Sequence, residues 1–436
     1  MLTALSKISW IRLTKGKRSA AVEARKRIED SGPTYVKLGQ LVATRGDLFD
    51  PVWVQEFSKL QDNAKTFDSF SVIKKEINLK DYEVSKLPFA SASLSCCHDG
   101  LYCGQSVVLK VRRPDLESMI KQDIEKILKF LEILGKFNKN MKEMTEIVTE
   151  WQDFLLEELD FKNEIQNLQR FQENARAYEW VRVPQVFAET ENIIIMEKIE
   201  GSRVTDADHE IDRRLLARSL ITFTFDQIYK FNFFHADPHP GNILIDGDGK
   251  VSYIDFGLCV DVGSGGDLEK LLLSVAKRDI DDFFDLLISL NVIIPTGSPT
   301  EIKRFLRIFF LYLDKPLESI RLETMRALEK SRQFRFSTKW ILFFKSIACI
   351  QGIVKEIQED VEIRDVLKDY ASAELPRLNV STLMEDFAKF PGSLQTVNSG
   401  INMLEDTIIE SNLQNSKDFD LIKILFAFDI IFQLLH

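Results

Sequence analysis

The sequence is poor in the features that stabilise disulfide-rich or membrane-spanning proteins. Only five of its 436 residues are cysteines, which is too few for a disulfide scaffold in a chain of this length. No uninterrupted apolar run reaches the roughly 20 residues that a bilayer-spanning helix needs. The formal net charge is −10, whereas a general nucleic-acid binder needs a basic surface against the phosphates. The sequence therefore predicts no disulfide framework, no transmembrane span and no nucleic-acid partner.

The composition is otherwise that of a globular protein, with 45% hydrophobic and 28% charged residues and enough length for two or more packed units. Both ends are unusual. Residues 1–22 contain five basic residues and no acid, which fits a transit peptide, a membrane-surface helix or part of the folded domain. We favour the folded domain, because a motif-bearing segment follows almost directly. The Phe/Ile/Leu-rich stretch at 419–435 fits either a buried helix or a docking helix for a membrane or partner.

The cysteines do not form a convincing metal site. Cys96, Cys97 and His98 are consecutive, with Cys103 close behind. Adjacent ligands fit poorly around a tetrahedral zinc ion, and no Cys-x-x-Cys occurs in the sequence. We therefore expect reduced thiols in a strand or loop.

The most informative segment is HADPHPGN at 235–242, followed by Asp255-Phe256-Gly257. Protein kinases carry a catalytic acid and a magnesium-binding Asn as Asp-x-x-x-x-Asn, and a second metal-binding Asp in Asp-Phe-Gly. Asp237, Asn242 and Asp255 have this order and spacing. The apolar runs 243–245 and 250–254 flank a Gly/Asp turn, which predicts a β-hairpin that brings the two metal ligands together.

An upstream strand supplies a candidate phosphate-binding lysine. Residues 107–111 read Val-Val-Leu-Lys-Val, as in the kinase strand whose lysine grips the nucleotide phosphates. A buried lysine is costly unless an acid pairs with it. We expect Glu164, on a long amphipathic run over 143–175, to be the partner of Lys110. The alternative is a surface lysine at the strand edge.

Two further segments resemble signatures of one kinase-like family. Residues 35–41 read Tyr-Val-Lys-Leu-Gly-Gln-Leu and residues 158–161 read Glu-Leu-Asp-Phe. They are similar to the KxGQ and ExD signatures of the UbiB/ADCK family of atypical kinases. HADPHPGN and Asp-Phe-Gly complete the set, and the resemblance extends from about residue 25 to at least 355.

The resemblance implies an α+β fold: a two-lobed, protein-kinase-like structure with an N-terminal helical extension and a largely helical C-terminal lobe. The extension is expected to cover the site at which an ordinary protein kinase receives a peptide. Lys37 and Gln40 would face the nucleotide site, and Glu158 and Asp160 would meet them. Taken alone, these residues would be an exposed helix end and a solvated acidic face.

If residues 143–175 form one helix, Asp160 and Glu164 lie one turn apart on the same face, and Glu158 projects elsewhere. One face of the helix would then serve Lys110, while another acid meets the extension.

One segment departs from the family pattern. The family has an alanine-rich loop and then Ser-x-Gly-Gln-x-His where ordinary kinases have a glycine-rich loop. This chain has Ala90-Ser91-Ala92-Ser93, and Ser95-Cys96 replaces the Gly-Gln pair. Small residues still permit close approach of the backbone to phosphate. Loss of the glycine puts the geometry of the nucleotide, and its turnover, in question.

These motifs divide the chain into three predicted parts. Residues 1–80 form the helical extension, residues 81–200 form a small lobe with strands near 88–111 and a helical insertion after Pro114, and residues 201–436 form a helical large lobe. A buried strand at 193–196 is expected to lead into a hinge at 197–201.

Two functions compete. The first is an ATP- and Mg²⁺-dependent kinase or ATPase that acts on or near membrane lipids and supports prenylquinone (ubiquinone or plastoquinone) biosynthesis or lipid homeostasis. The second is a nucleotide-binding pseudokinase that organises lipid-biosynthesis enzymes. An ordinary protein kinase is disfavoured by the extension and by the lack of an Ala-Pro-Glu element after the Asp-Phe-Gly. The resemblance implies peripheral association with a mitochondrial, plastid or bacterial inner membrane.

Overall fold

A computed structural model gives the fold. It describes residues 2–44, 51–60, 67–91, 94–135, 139–207, 211–263, 267, 270–271, 273–274, 277, 279–312, 334–363, 365–366 and 369–370. The chain forms two units, one comprising Met1–Val204 and Pro240–Cys259 and the other comprising Thr205–His239 and Val260–His436. The hairpin with the predicted metal ligands thus belongs to the first unit. The three-part division made from the sequence stays a prediction. So does the hinge at 197–201.

The first unit begins with helices: α1 (Leu2–Ser31), α2 (Pro33–Thr44), α3 (Pro51–Phe57) and α4 (Ser69–Glu76). Helix α1 is kinked at Gly16, whose φ of 84° lies in the left-handed region that glycine favours. Ala20 and Ala21 are fully buried, and α1 packs on α2 and α3. This part of the basic N-terminal segment is therefore folded, as we expected. The C-terminal stretch 419–435 lies outside the described residues.

A six-stranded antiparallel sheet follows, in the order β1-β3-β4-β7-β6 with β2 paired to β3. Its strands are β1 (Tyr82–Val84), β2 (Ala90–Ser91), β3 (Ser95–Tyr102), β4 (Gln105–Arg112), β6 (Val186–Glu189) and β7 (Ile193–Glu197). Strand β4 is central, with its apolar residues Val107, Leu109 and Val111 fully buried. The alternate residues, including Lys110, point to the opposite face because side chains alternate along a strand.

Between β4 and the later strands lie three helices, α5 (Leu116–Gly135), α6 (Lys139–Leu159) and α7 (Phe161–Ala175). The interpretation of 143–175 as one helix is therefore wrong. Asp160 has an extended backbone, and its side chain accepts a hydrogen bond from Lys162 N at 2.9 Å, so it caps α7. Arg112 donates to the terminal carbonyl of α6 at Leu159 over 2.5 Å. Asp160 and Glu164 consequently do not share a helix face.

A smaller sheet has the order β5-β11-β10-β8. Its strands are β5 (Val181–Arg182), β8 (Ser202–Arg203), β10 (Ile243–Ile245) and β11 (Val251–Tyr253). Strands β10 and β11 pair antiparallel, with Ile243 opposite Tyr253 and Ile245 opposite Val251. The predicted hairpin is present.

The second unit is mainly helical. Its elements are α8 (Arg213–Tyr229), β9 (Phe233–His235), α9 (Ile280–Ser289), β13 (Ile293–Pro295), α10 (Pro299–Tyr312), β14 (Phe334–Phe336) and α11 (Thr338–Ile357). Strand β12 (Cys259–Asp261) begins at the unit boundary. The apolar residues of 340–344 and 350–357 lie on the single helix α11 and are largely buried. Helices and strands together make the α+β class predicted above. No helix in the described ranges is long and apolar enough to cross a membrane.

At Gly201, just before β8, the backbone passes very close to strand β10. A Cβ there would stand 2.6 Å from Ile245 O, a backbone atom that cannot rotate away. We expect Gly201→Ala to destabilise the protein by about 1–3 kcal/mol through overpacking. Gly247→Ala, in the turn between β10 and β11, is the control because its Cβ would meet nothing within 4 Å. Urea unfolding with equal midpoints for the two variants would contradict this account.

Candidate nucleotide-binding site

The centre of the site is the ammonium group of Lys110. Its Nζ lies 2.6 Å from Glu164 Oε1 and 3.1 Å from Asp255 Oδ1. Only 12% of the lysine side chain and 4% of the glutamate side chain are exposed, whereas Asp255 is 43% exposed. The expected pair is therefore present and buried, and Asp255 forms the open side of the cluster. The roles of these residues in chemistry stay predictions.

Local structure positions both carboxylates. Glu164 lies in the first turn of α7, directly after the Asp160 cap, and Phe161 and Ile165 of this helix pack with residues of β7. The Asp255 carboxylate accepts a hydrogen bond from Gly257 N at 3.0 Å, which fixes the Asp-Phe-Gly turn.

The phenylalanine of the Asp-Phe-Gly segment anchors the turn to α7. Phe256 packs edge-on against Phe171 at 5.1 Å between ring centroids. Asn167, one turn earlier on α7, donates to Phe256 O at 3.1 Å. Helix α7 therefore holds both Glu164 and the segment that carries Asp255.

The cluster contains more negative than positive charge. Burial lowers the pKa of Lys110, but Asp255 and Glu164 outweigh this effect and the net pKa is raised. Burial raises the pKa of Glu164, and Asp255 adds to that rise while Lys110 opposes it. Both shifts favour retention of protons, in Lys110 because of the two carboxylates and in Glu164 chiefly because of burial. The excess of negative charge in the cluster favours binding of a further cation.

The hairpin brings Asn242 and Asp255 to the same end. Ile254 N donates to Asn242 O at 3.1 Å, and Asp255 is the next residue along the chain. An amide oxygen and a half-exposed carboxylate are hard oxygen donors of the kind that Mg²⁺ prefers. No cluster of three His, Cys, Asp or Glu able to hold a metal occurs among the described residues. Asn242 and Asp255 could hold such an ion together with ligands from outside the protein, such as phosphates.

The extension reaches this region through Lys37. Its Nζ lies 2.5 Å from Glu158 Oε1 in a half-buried ion pair. A Cβ placed on Gly257 would lie about 4.0 Å from Glu158 Cγ and 3.3 Å from Asp255 Oδ1, so Glu158 is near the Asp-Phe-Gly turn. Gln40 donates to Leu60 O at 3.4 Å. Asp160, the fourth residue of the KxGQ and ExD signatures, caps the start of helix α7.

The small-residue segment is only partly described. Ala90 and Ser91 pair with Cys97 and Cys96 of β3, whereas Ala92 and Ser93 lie outside the described residues. Cys97 in turn lies opposite Lys110 in the β3–β4 register. Burial raises the pKa of the Cys97 thiol to about 12 despite the opposing effect of Lys110. A neutral thiol therefore neighbours the ammonium group.

Asp237 belongs to the second unit. Its Oδ1 accepts a hydrogen bond from Lys345 Nζ of α11 at 2.7 Å. Burial opposes ionisation of the carboxyl, but Lys345, with His239 and His235, outweighs burial and lowers the pKa of Asp237. Sequence reasoning missed Lys345. The signal that was available is a lone lysine in the otherwise apolar run Trp-Ile-Leu-Phe-Phe-Lys.

Comparison with known proteins settles the family. The model of the ABC1 atypical kinase-like domain matches residues 59–286, more than half of the chain. The chain belongs to the ABC1 atypical kinase-like family. The predicted kinase-like fold and the predicted family are thereby confirmed.

Three curated relatives illustrate the range of the family. An uncharacterized protein in the hydrogenase 1 5′ region of Clostridium pasteurianum is 30% identical, over 82% of this chain and 72% of that protein. Protein ACTIVITY OF BC1 COMPLEX KINASE 7, chloroplastic, of Arabidopsis thaliana is 30% identical over 81% of this chain and 54% of its own length. The probable protein kinase UbiB of Actinobacillus pleuropneumoniae is 33% identical over 54% of this chain and 47% of its own length. This chain thus spans about half the length of the last two.

The cluster makes a prediction about stability. Lys110→Met should destabilise the protein by about 3–5 kcal/mol, because Glu164 is left buried without its cation. Adding Glu164→Gln to that variant should restore part of the loss, so the two effects should not be additive. Lys121→Met removes an exposed ion pair with Glu117 and should change little. Urea unfolding of the wild type, Lys110→Met, Glu164→Gln, the double variant and the Lys121→Met control measures the coupling. Additive losses would show that Lys110 and Glu164 do not stabilise each other.

Proposed function

We propose that the protein binds ATP with Mg²⁺ and transfers or hydrolyses the terminal phosphoryl group. The observation that carries the proposal is the buried contact of Lys110 with Glu164 and Asp255. A lysine and acids in this arrangement match the kinase apparatus that grips phosphates and holds their metal ion. Membership of an atypical kinase family supports the same function.

The donor set fits the groups that the proposal requires. Lys110 would contact the nucleotide phosphates, and Asn242 and Asp255 would hold Mg²⁺. A bound magnesium ion neutralises charge that develops on the phosphates. The surplus of negative charge around Lys110 supplies the electrostatic reason for cation binding, and the exposed part of Asp255 supplies an accessible oxygen.

Asp237 would act on the acceptor. It precedes Asn242 by five residues, the spacing of the kinase catalytic loop. Its lowered pKa keeps it ionised, and an ionised carboxylate can orient an acceptor hydroxyl or water and take up its proton. If nucleotide binds without turnover, the pseudokinase alternative holds, and the replacement of Gly-Gln by Ser95-Cys96 is then the first feature to examine.

We further propose that the reaction serves membrane lipid metabolism. The resemblance to UbiB/ADCK proteins implies support of prenylquinone biosynthesis or lipid homeostasis, beside lipid-biosynthesis enzymes. The relatives include a protein named as chloroplastic and a bacterial UbiB. Association with the membrane would be peripheral.

Asp255→Asn tests the nucleotide site. It removes one charge from the metal-binding end of the hairpin, so we expect at least about tenfold weaker Mg²⁺-dependent ATP binding and loss of turnover, with the fold intact. Asp248→Asn makes the same change in the exposed turn of that hairpin and should have no effect. Calorimetric titration of ATP with and without Mg²⁺ measures binding. Unchanged affinity and magnesium dependence in Asp255→Asn would refute the assignment.

Vesicle flotation tests the membrane proposal. Lys15 and Arg18 are exposed on α1, and each basic residue near an anionic surface contributes about 1 kcal/mol. We expect the full chain to float with anionic vesicles at low salt and less at high salt, because exposed charges are screened. Replacing both residues with Gln should weaken flotation, whereas Lys80→Gln with Lys86→Gln should not. Equal flotation of the two double variants would show that Lys15 and Arg18 do not contribute to membrane binding.

A further inference from the structure

Helix α11 contacts the catalytic loop through three neighbouring side chains. Lys345 Nζ donates to Asp237 Oδ1 at 2.7 Å, Ser346 Oγ donates to His235 O at 2.9 Å, and Cys349 Sγ donates to Pro238 O at 3.3 Å. Positions 345, 346 and 349 lie on one side of a helix, because residues four apart are stacked one turn above each other. The helix therefore contacts three of the four residues of the loop segment 235–238.

Apolar packing makes this side of α11 rigid. The rings of Phe343 and Phe234 meet edge to face at 5.8 Å between centroids. Ser346 is 1% exposed and His235 is 2% exposed, so the hydrogen bond between them is shielded from water. The Lys345–Asp237 ion pair lies at the edge of this packed side, with 40% of the lysine and 34% of the aspartate side chain exposed, so the buried contacts fix the helix backbone from which Lys345 reaches Asp237.

We propose that Lys345 is a positioning residue for Asp237, which it holds ionised and in one orientation toward the acceptor of the phosphoryl group. The inference rests on the proposed function, and it adds to the site a residue from a helix that begins at Thr338, beyond the part of the chain matched by the family model. Lys345 is not required to transfer a proton to Asp237. Asp237 needs the fixed positive charge, because burial by itself favours the protonated, inactive form.

Three other titratable groups face Asp237. His235 on β9 and His239 in the loop also act to lower the pKa of Asp237, and Cys349 faces it from α11. Burial and Asp237 itself raise the pKa of Cys349 to about 11, so its thiol is neutral. Lys345 donates a hydrogen bond directly to a carboxylate oxygen of Asp237.

The test compares three variants of the full chain. Lys345→Gln removes the charge, Lys345→Arg retains it, and Lys355→Gln removes an exposed charge near the C-terminal end of the same helix. We expect Lys345→Gln to lower turnover at least about tenfold, within the range of general acid–base effects, with ATP affinity unchanged. As the pH is lowered, the activity of Lys345→Gln should begin to fall at a higher pH than that of the wild type, because Asp237 now protonates more readily. Lys345→Arg should recover part of the rate, and Lys355→Gln should match the wild type.

A second measurement is independent of turnover. Titration of ¹³C-labelled aspartate carboxyls by NMR, with the Asp237 signal assigned from Asp237→Asn, reports the pKa in nucleotide-free protein. We expect it to rise in Lys345→Gln and to change little in Lys355→Gln. If the Asp237 titration is the same in wild type and Lys345→Gln, the inference is overturned whatever the activity. If the titration shifts but the wild type does not turn over ATP, the contact stands and the proposed function fails.

Discussion

The first unit depends on one buried ammonium group. Lys110, on strand β4, contacts Glu164 of helix α7 and Asp255 after β11. These two residues lie 54 and 145 residues further along the chain. A buried charge is tolerated only when opposite charges compensate its lost hydration, so these three segments must reach the same point for the unit to be stable. The same requirement assembles the residues that a nucleotide and a metal ion would use.

The break between α6 and α7 serves this arrangement. A continuous helix over 143–175 would carry Glu164 onward in the direction of α6. Asp160 instead ends one helix and caps the next, and Arg112, two residues beyond Lys110 on β4, donates to the last carbonyl of α6. The strand that carries the lysine thus also fixes the start of the helix that carries its partner. The guanidinium group of Arg112 further lies 5.7 Å from the ring of Phe161, at a distance suited to a cation–π contact.

Short-range patterns in the sequence were sufficient for much of the site. The hairpin around Asp246–Gly249 follows from two apolar runs and turn residues, and the pairing of Lys110 with an acid follows from the cost of burying it. The break at Asp160 was missed because the apolar periodicity continues across it, although an aspartate at a helix start is a known cap. Lys345 stands out in the sequence as a lone lysine in an apolar run, but its partner could not be predicted, since Asp237 lies 108 residues away and no periodicity relates the two. The position of Gln40, at the carbonyl of Leu60, likewise depends on how α2 packs near the end of α3.

The two aspartates of the kinase-like motifs have environments suited to different tasks. Asp255 and Glu164 both contact the Lys110 ammonium, an excess of carboxylates that suits the metal-binding role we propose for Asp255. Asp237 has its own ammonium partner, which lowers its pKa against the effect of burial. A metal ligand benefits from unbalanced negative charge, whereas a residue that must accept a proton has to be ionised before the reaction begins. The separate partners, Lys110 in the first unit and Lys345 in the second, allow both conditions to hold at the same pH.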